Sequence, residues 1–154
     1  MGVTRARNQR GATAVEFALV ALPLFYLLFG IVQYGIYFYS MQAGTSAVGE
    51  ATRRLTVGNC QDNTQLKQFL SDRLGLASTT PASSLAPTVV YKSAASPPST
   101  MSAPGEVGGS VELTLTFSPI NMHFPFIPLP NGGQVTRTSF GRVEDTASLV
   151  NGCT

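Results

Sequence analysis

Charge is what this chain has least of. Only 12% of its 154 residues are Asp, Glu, Lys or Arg, and none of these lies between residues 17 and 49. No soluble domain needs a segment of that kind. Metal and catalytic signatures are equally scarce. The single histidine, His123, has no Cys, Asp or Glu cluster beside it, so its spacing gives no metal site. No P-loop, G-x-G-x-x-G or C-x-x-C is present, and Glu144 and Asp145 have no sequence relation to His123 that would build a Ser/His/Asp constellation. These shortages argue against an enzyme and imply no cofactor and no metal.

Acid is missing from the first fifteen residues, which carry Arg5, Arg7 and Arg10. Residues 1–11 therefore hold +3, Glu16 supplies −1, and residues 40–154 balance seven basic against seven acidic side chains, which together give the formal +2. A neutral C-terminal region offers no electrostatic footprint for nucleic acid. Arginines beside a membrane helix stay on the cytoplasmic side. The expected localisation is thus the cell (inner) membrane, single-pass, with the N-terminus cytoplasmic and residues 40–154 extracytoplasmic.

The apolar block is the dominant positive feature. Its core, Phe17–Tyr39, would span ~35 Å as a helix, enough for a hydrocarbon layer of ~30 Å. A cleaved secretory signal is disfavoured, because the block is too long and SMQAGTSAV after it lacks an A-x-A site. Gln33 is the one strongly polar side chain inside, suited to bonding a neighbouring helix or backbone. Tyr34, Tyr37, Phe38 and Tyr39 fall where an interfacial aromatic belt is expected. Pro23 removes a backbone donor and is expected to kink the helix. Ala14 and Ala18, with Ala21 beyond them, are small sites that allow close helix approach in lipid, or simply ordinary membrane-helix composition.

At the entrance to this block stands Gln9-Arg10-Gly11-Ala12-Thr13-Ala14-Val15-Glu16-Phe17. An ionised carboxylate at that depth is costly unless it snorkels or finds a cation. Taken alone, Glu16 would rest at the interface and favour the helix N-terminus through the dipole. The combination is more specific than its parts. A basic leader ending in Gly11, then Ala12, then Glu16-Phe17 and an uninterrupted apolar helix resembles a type IV prepilin signal. More closely, RGATAVEFALVALPLFYLLFGIVQYG is similar to the start of the TadE-like family, the pseudopilins or minor pilins of tight-adherence (Flp, type IVc) pilus systems. TadF-like proteins share this architecture. The major pilins of such systems have Glu-Tyr where this chain has Glu-Phe, and they lack a long outer domain.

The resemblance implies a prepilin peptidase that cuts after Gly11, leaving Ala12 as the new N-terminus. It implies that Glu16, followed by Phe17, pairs with the N-terminal ammonium of a neighbouring subunit and sets assembly register. Expected partners are the membrane, that peptidase, and other pilin or pseudopilin subunits with their assembly machinery. The implied function is pilus assembly and surface adhesion. The alternative is a single-pass anchored extracytoplasmic binding domain that never enters a pilus.

Beyond the membrane, the expected fold class is α+β: a long N-terminal transmembrane helix continuing into a small extracytoplasmic domain with a short helix and an antiparallel sheet of about three strands. The expected divisions are a leader over 1–11, the long helix over 12–57, and the outer domain over 58–154. Gly58-Asn59 should end the first helix. Thr64–Leu74 should form the second, with Leu66, Phe69, Leu70 and Leu74 on one face and Gly75 as its stop. Thr88–Lys92, Ser110–Phe117 and Gln134–Val143 read as strands, the middle one alternating cleanly between Val111, Leu113, Leu115, Phe117 and polar residues. Residues 77–87 and 93–105 read as loops. Ile120–Pro130 is apolar but carries three prolines, so it should fold over a sheet face or stay exposed against a partner or lipid. Cys60 and Cys153 could pair in an oxidising compartment, where chain entropy puts such a loop at about 4–5 kcal/mol.

Overall fold

The computed structural model describes residues 10–59, 62–103 and 105–146. Cys60 and Cys153, and with them the expected disulfide, lie outside the described residues, as do residues 1–9 of the leader.

One helix dominates. α1 (Arg10–Thr56) runs 47 residues with Pro23 inside it. Its end is written in backbone bonds. Gly58 takes φ +77°, its N–H reaches the Leu55 carbonyl at 3.2 Å, and the Asn59 N–H reaches that of Arg54 at 2.9 Å. This pair of bonds closes a helix with a left-handed residue, where glycine costs least. The amides of Glu144 and Asp145 then donate to the Thr56 carbonyl at 2.8 and 3.2 Å, so the far end of the described chain satisfies another terminal acceptor.

α2 (Asn63–Leu74) forms where its apolar spacing predicts. Asp62 caps it, accepting from the Thr64 N–H at 3.2 Å, and Gly75 stops it at φ +48°. Leu66, Phe69, Leu70 and Leu74 are all buried. α2 packs on α1 beneath a small charged bridge: Glu50 meets Arg73 at 2.6 Å and Arg54 at 3.5 Å, and both guanidinium groups lie over the Phe69 ring.

The sheet is antiparallel with order β2-β1-β3-β4. β1 (Thr88–Lys92), β3 (Ser110–Phe117) and β4 (Val135–Arg142) fall on the three expected strands, and β2 (Thr100–Met101) adds a fourth. The expected count of about three therefore falls short by a two-residue edge, formed as Tyr91 pairs with Met101 and Lys92 with Thr100. Two residues carry no readable alternation, and their strand character comes from β1. The alternation in β3 sorts its residues by face. Val111, Leu113, Leu115 and Phe117 are buried, while Thr114 and Thr116 face outward and meet Thr138 and Thr136 across the β3–β4 pair at 2.9 and 2.8 Å.

The inner face of the sheet lies on the second half of α1. Along β4 the inward positions are small or polar after Val135, which lets helix and strand approach closely. A Cβ added at Gly44 would sit 2.7 Å from the Phe117 ring, and one at Gly141 would collide with Thr56 and come within 3.0 Å of Thr52. Ala47, Val48, Ala51 and Leu55 of α1 are buried in one cluster with the β3 side chains and the α2 leucines. At about 1.5–3 kcal/mol for each fully buried large aliphatic side chain, this seam is the chief source of stability.

Candidate functional site

α1 divides into two unlike halves. From Gly11 to Val32 it is exposed nearly throughout, with only Ala21 and Gly30 partly covered; from Gln33 onward buried positions recur at helical spacing. Phe17 is 74% exposed and Leu19, Leu22, Leu24 and Leu27 all exceed 60%. Gly11–Thr56 is a helix long and apolar enough to cross a membrane, and its most apolar window has 0% of its residues buried. A bare surface of this kind in water would be unfavourable over its whole length. The described geometry thus supplies a membrane anchor in its first half and a core helix in its second.

The expected site residues lie at the start of this rod. Gly11 and Ala12 are exposed in the first turn of α1, and nothing lies within 4 Å of a Cβ placed on Gly11. Glu16 and Phe17 follow on the next turn, both exposed.

The aromatic belt is only partly as expected. Tyr37 is buried in the core and its hydroxyl donates to the Gln134 carbonyl at 3.4 Å, while Tyr34 donates to the Pro128 carbonyl at 2.9 Å. Phe38 and Tyr39 remain exposed. Gln33, 1% exposed, accepts from the Met122 N–H at 3.1 Å through Oε1, a bond that fixes which end of the amide faces the loop. It does bond backbone, but in a segment 89 residues away. No periodicity in the sequence points to that partner.

His123 and the acids Glu144 and Asp145 are kept apart. The Met122 amide meets Gln33 and the Glu144 amide meets Thr56, positions separated by ~35 Å of helix axis. The mixed groove at the far end brings Glu50, Arg53, Arg54, Arg142 and Glu144 together. Among the described residues no group of three or more His, Cys, Asp or Glu side chains could hold a metal ion.

The family model described as TadE-like protein matches residues 11–53. This segment is TadE-like. The match begins at Gly11 and extends over the whole bare half of α1 and most of the seated half. It associates the chain with the Tad pilus system. No curated protein and no solved structure matches the chain. The TadE-like segment therefore carries what similarity tells about function, and the α+β body beyond it is read from its own residues.

Proposed function

We propose that this chain is a minor pilin or pseudopilin of a tight-adherence type IVc pilus. The observation that carries the proposal is the bare apolar half of α1, exposed from Gly11 to Val32 except at Ala21 and Gly30, over which the TadE-like match extends. A rod with little cover among the described residues, fused to a packed body, is suited to exchange lipid for the equivalent rods of neighbouring subunits. In lipid that exchange rests on close packing and on polar pairs.

In this reading the chain divides into a leader over 1–11, the long helix over 12–57 and the outer domain over 58–154, with the N-terminus cytoplasmic in the inner membrane. Prepilin peptidase hydrolyses the Gly11–Ala12 bond. Glycine offers the protease no side-chain bulk. Cleavage removes three arginines and creates an ammonium at Ala12. The Glu16 carboxylate of one subunit then pairs with that ammonium on another, since an unpaired carboxylate in lipid is costly. Ala14 and Ala18 let the helices come close. The body remains outside, as part of the surface pilus or its base, where it contributes to assembly and adhesion.

N-terminal mass mapping, with and without the peptidase, tests this reading. The expected result is a mature chain beginning at Ala12 only when the peptidase is active, with Glu16→Ala still cleaved but failing to assemble. An intact leader on protein that assembles normally would overturn it and leave a single-pass anchored binding domain.

A further inference from the structure

The segment Ile120–Pro130 joins β3 to β4 beyond the end of the sheet nearest the bare half of α1. It is expected to lie on a sheet face or to stay exposed against a partner or lipid. Its ring contacts run to α1. Phe124 stacks on Phe29 with ring centroids 4.8 Å apart, and Phe126 approaches Tyr26 at 6.2 Å. We propose that this loop is a second membrane contact, entering the same leaflet that α1 leaves and lying in its acyl–headgroup boundary.

Depth follows from helix geometry. A hydrocarbon layer of ~30 Å takes about 20 helical residues. Counted from Gly11 that layer ends near Gly30, and counted from Phe17, where the apolar core begins, it ends near Ile36. Phe29 then lies about 2 to 10 Å inside the boundary on the side of the α+β body, at ~1.5 Å per residue. A ring stacked on it shares that depth, which overlaps the ~5–10 Å reached by interfacial elements. Gln33 and Tyr34, which hold the polar ends of the loop through Met122 and Pro128, lie within about 6 Å of the boundary on either count.

The loop is built for such a place. No charged residue occurs between Glu112 and Arg137. Pro125 and Pro128 have no N–H to desolvate, the His123 N–H donates to the Asn121 side chain at 2.8 Å, and that of Ile127 donates to the Phe124 carbonyl at 3.4 Å. At these four positions the backbone has no unpaired N–H to carry into a lipid surface. Phe126 adds an independent sign. It holds φ +66°, a conformation unfavourable for a bulky residue, yet the residue is 86% exposed. Little packing within the chain offsets that backbone cost, whereas an apolar phase outside the chain would. The body of the protein is thereby held at a fixed height and tilt over the bilayer by two attachments instead of one.

The proposal rests on α1 spanning the bilayer, and the test separates the two. The chain contains no tryptophan, so each single Trp variant reports one position. Full-length Leu24→Trp, Phe126→Trp, Met122→Trp and Phe140→Trp are reconstituted in phosphatidylcholine–phosphatidylglycerol vesicles with bromine placed either high or low on the acyl chains. Leu24→Trp should be quenched by the deep bromines. Phe126→Trp and Met122→Trp should shift to the blue and be quenched most by the shallow ones. Phe140→Trp, on the outer sheet face, should respond to aqueous acrylamide alone. If Phe126→Trp and Met122→Trp respond to acrylamide while Leu24→Trp responds to bromine, the span stands and the loop proposal fails. Blue-shifted emission at both loop positions that neither quencher reaches means cover by protein, and overturns it equally. Loss of bromine quenching at Leu24→Trp removes the span and the proposal together.

Discussion

The two halves of α1 are one unbroken helix with opposite surroundings. At Gly11 and Gly30 nothing lies within 4 Å of an added Cβ, whereas at Gly44 the Phe117 ring stands at 2.7 Å. Glycine does different work in each place. In the seated half it admits a strand and an aromatic ring against the helix backbone. In the bare half it leaves a shallow surface that no part of the described chain fills. The same residue type and the same secondary structure thus serve an internal interface and an open one, and only the contacts tell them apart.

Substitutions can break this contrast in order of size. Leu55→Ala, deep in the seated half, should destabilise the α+β body by about 2–5 kcal/mol, read as a lower denaturation midpoint in detergent. Leu24→Ala in the bare half should leave that midpoint where it was. Gly44→Ala should cost about 1–3 kcal/mol by overpacking Phe117, while Gly30→Ala should meet no clash within the chain. A midpoint that falls equally for both glycine variants would erase the distinction. Glu50→Gln should cost less, about 1 kcal/mol at most, because its bridge to Arg73 and Arg54 is partly exposed, and salt should shrink the difference. The smallest effect concerns Tyr91. Burial raises its phenol above the ordinary value of 10.0. The folded state then holds the proton longer than the unfolded state, so this residue's stabilising share is whole below pH 10 and fades as pH climbs through the raised value. Tyr91→Phe should flatten the alkaline loss of stability relative to the parent chain.

Much of this contrast is legible in the residues themselves. The charge-free run gives the rod, the spacing of Leu66, Phe69, Leu70 and Leu74 gives α2 and its buried face, and the alternation from Val111 to Phe117 gives β3 with its orientation. These signals are local, because one period repeated over several residues is enough to fix them. What is not legible depends on distant partners. β2 exists only because Tyr91 and Lys92 offer an edge. Tyr37 has the same local setting as Phe38 and Tyr39, yet it is buried, since β4 arrives on its side of the helix. The same holds for the membrane-entrance residues. Gly11, Ala12, Glu16 and Phe17 stand out by their combination, and the structure adds that they sit uncovered in the first two turns of α1. Gln33 signals a polar bond within an apolar run, but the identity of that bond is a tertiary fact, set by a loop of prolines and aromatics that no helical or strand period describes.

β4 travels beside α1 in the same direction: Gln134 meets Tyr37, Arg137 meets the Met41 carbonyl, Gly141 meets Thr52, and Glu144 meets Thr56. A pull on the N-terminal end of the rod is therefore carried along the line of that seam. Its contacts are loaded all at once, in shear, and none can be peeled away ahead of the others. Tension applied through the rod meets the whole length of the joint as a single mechanical element.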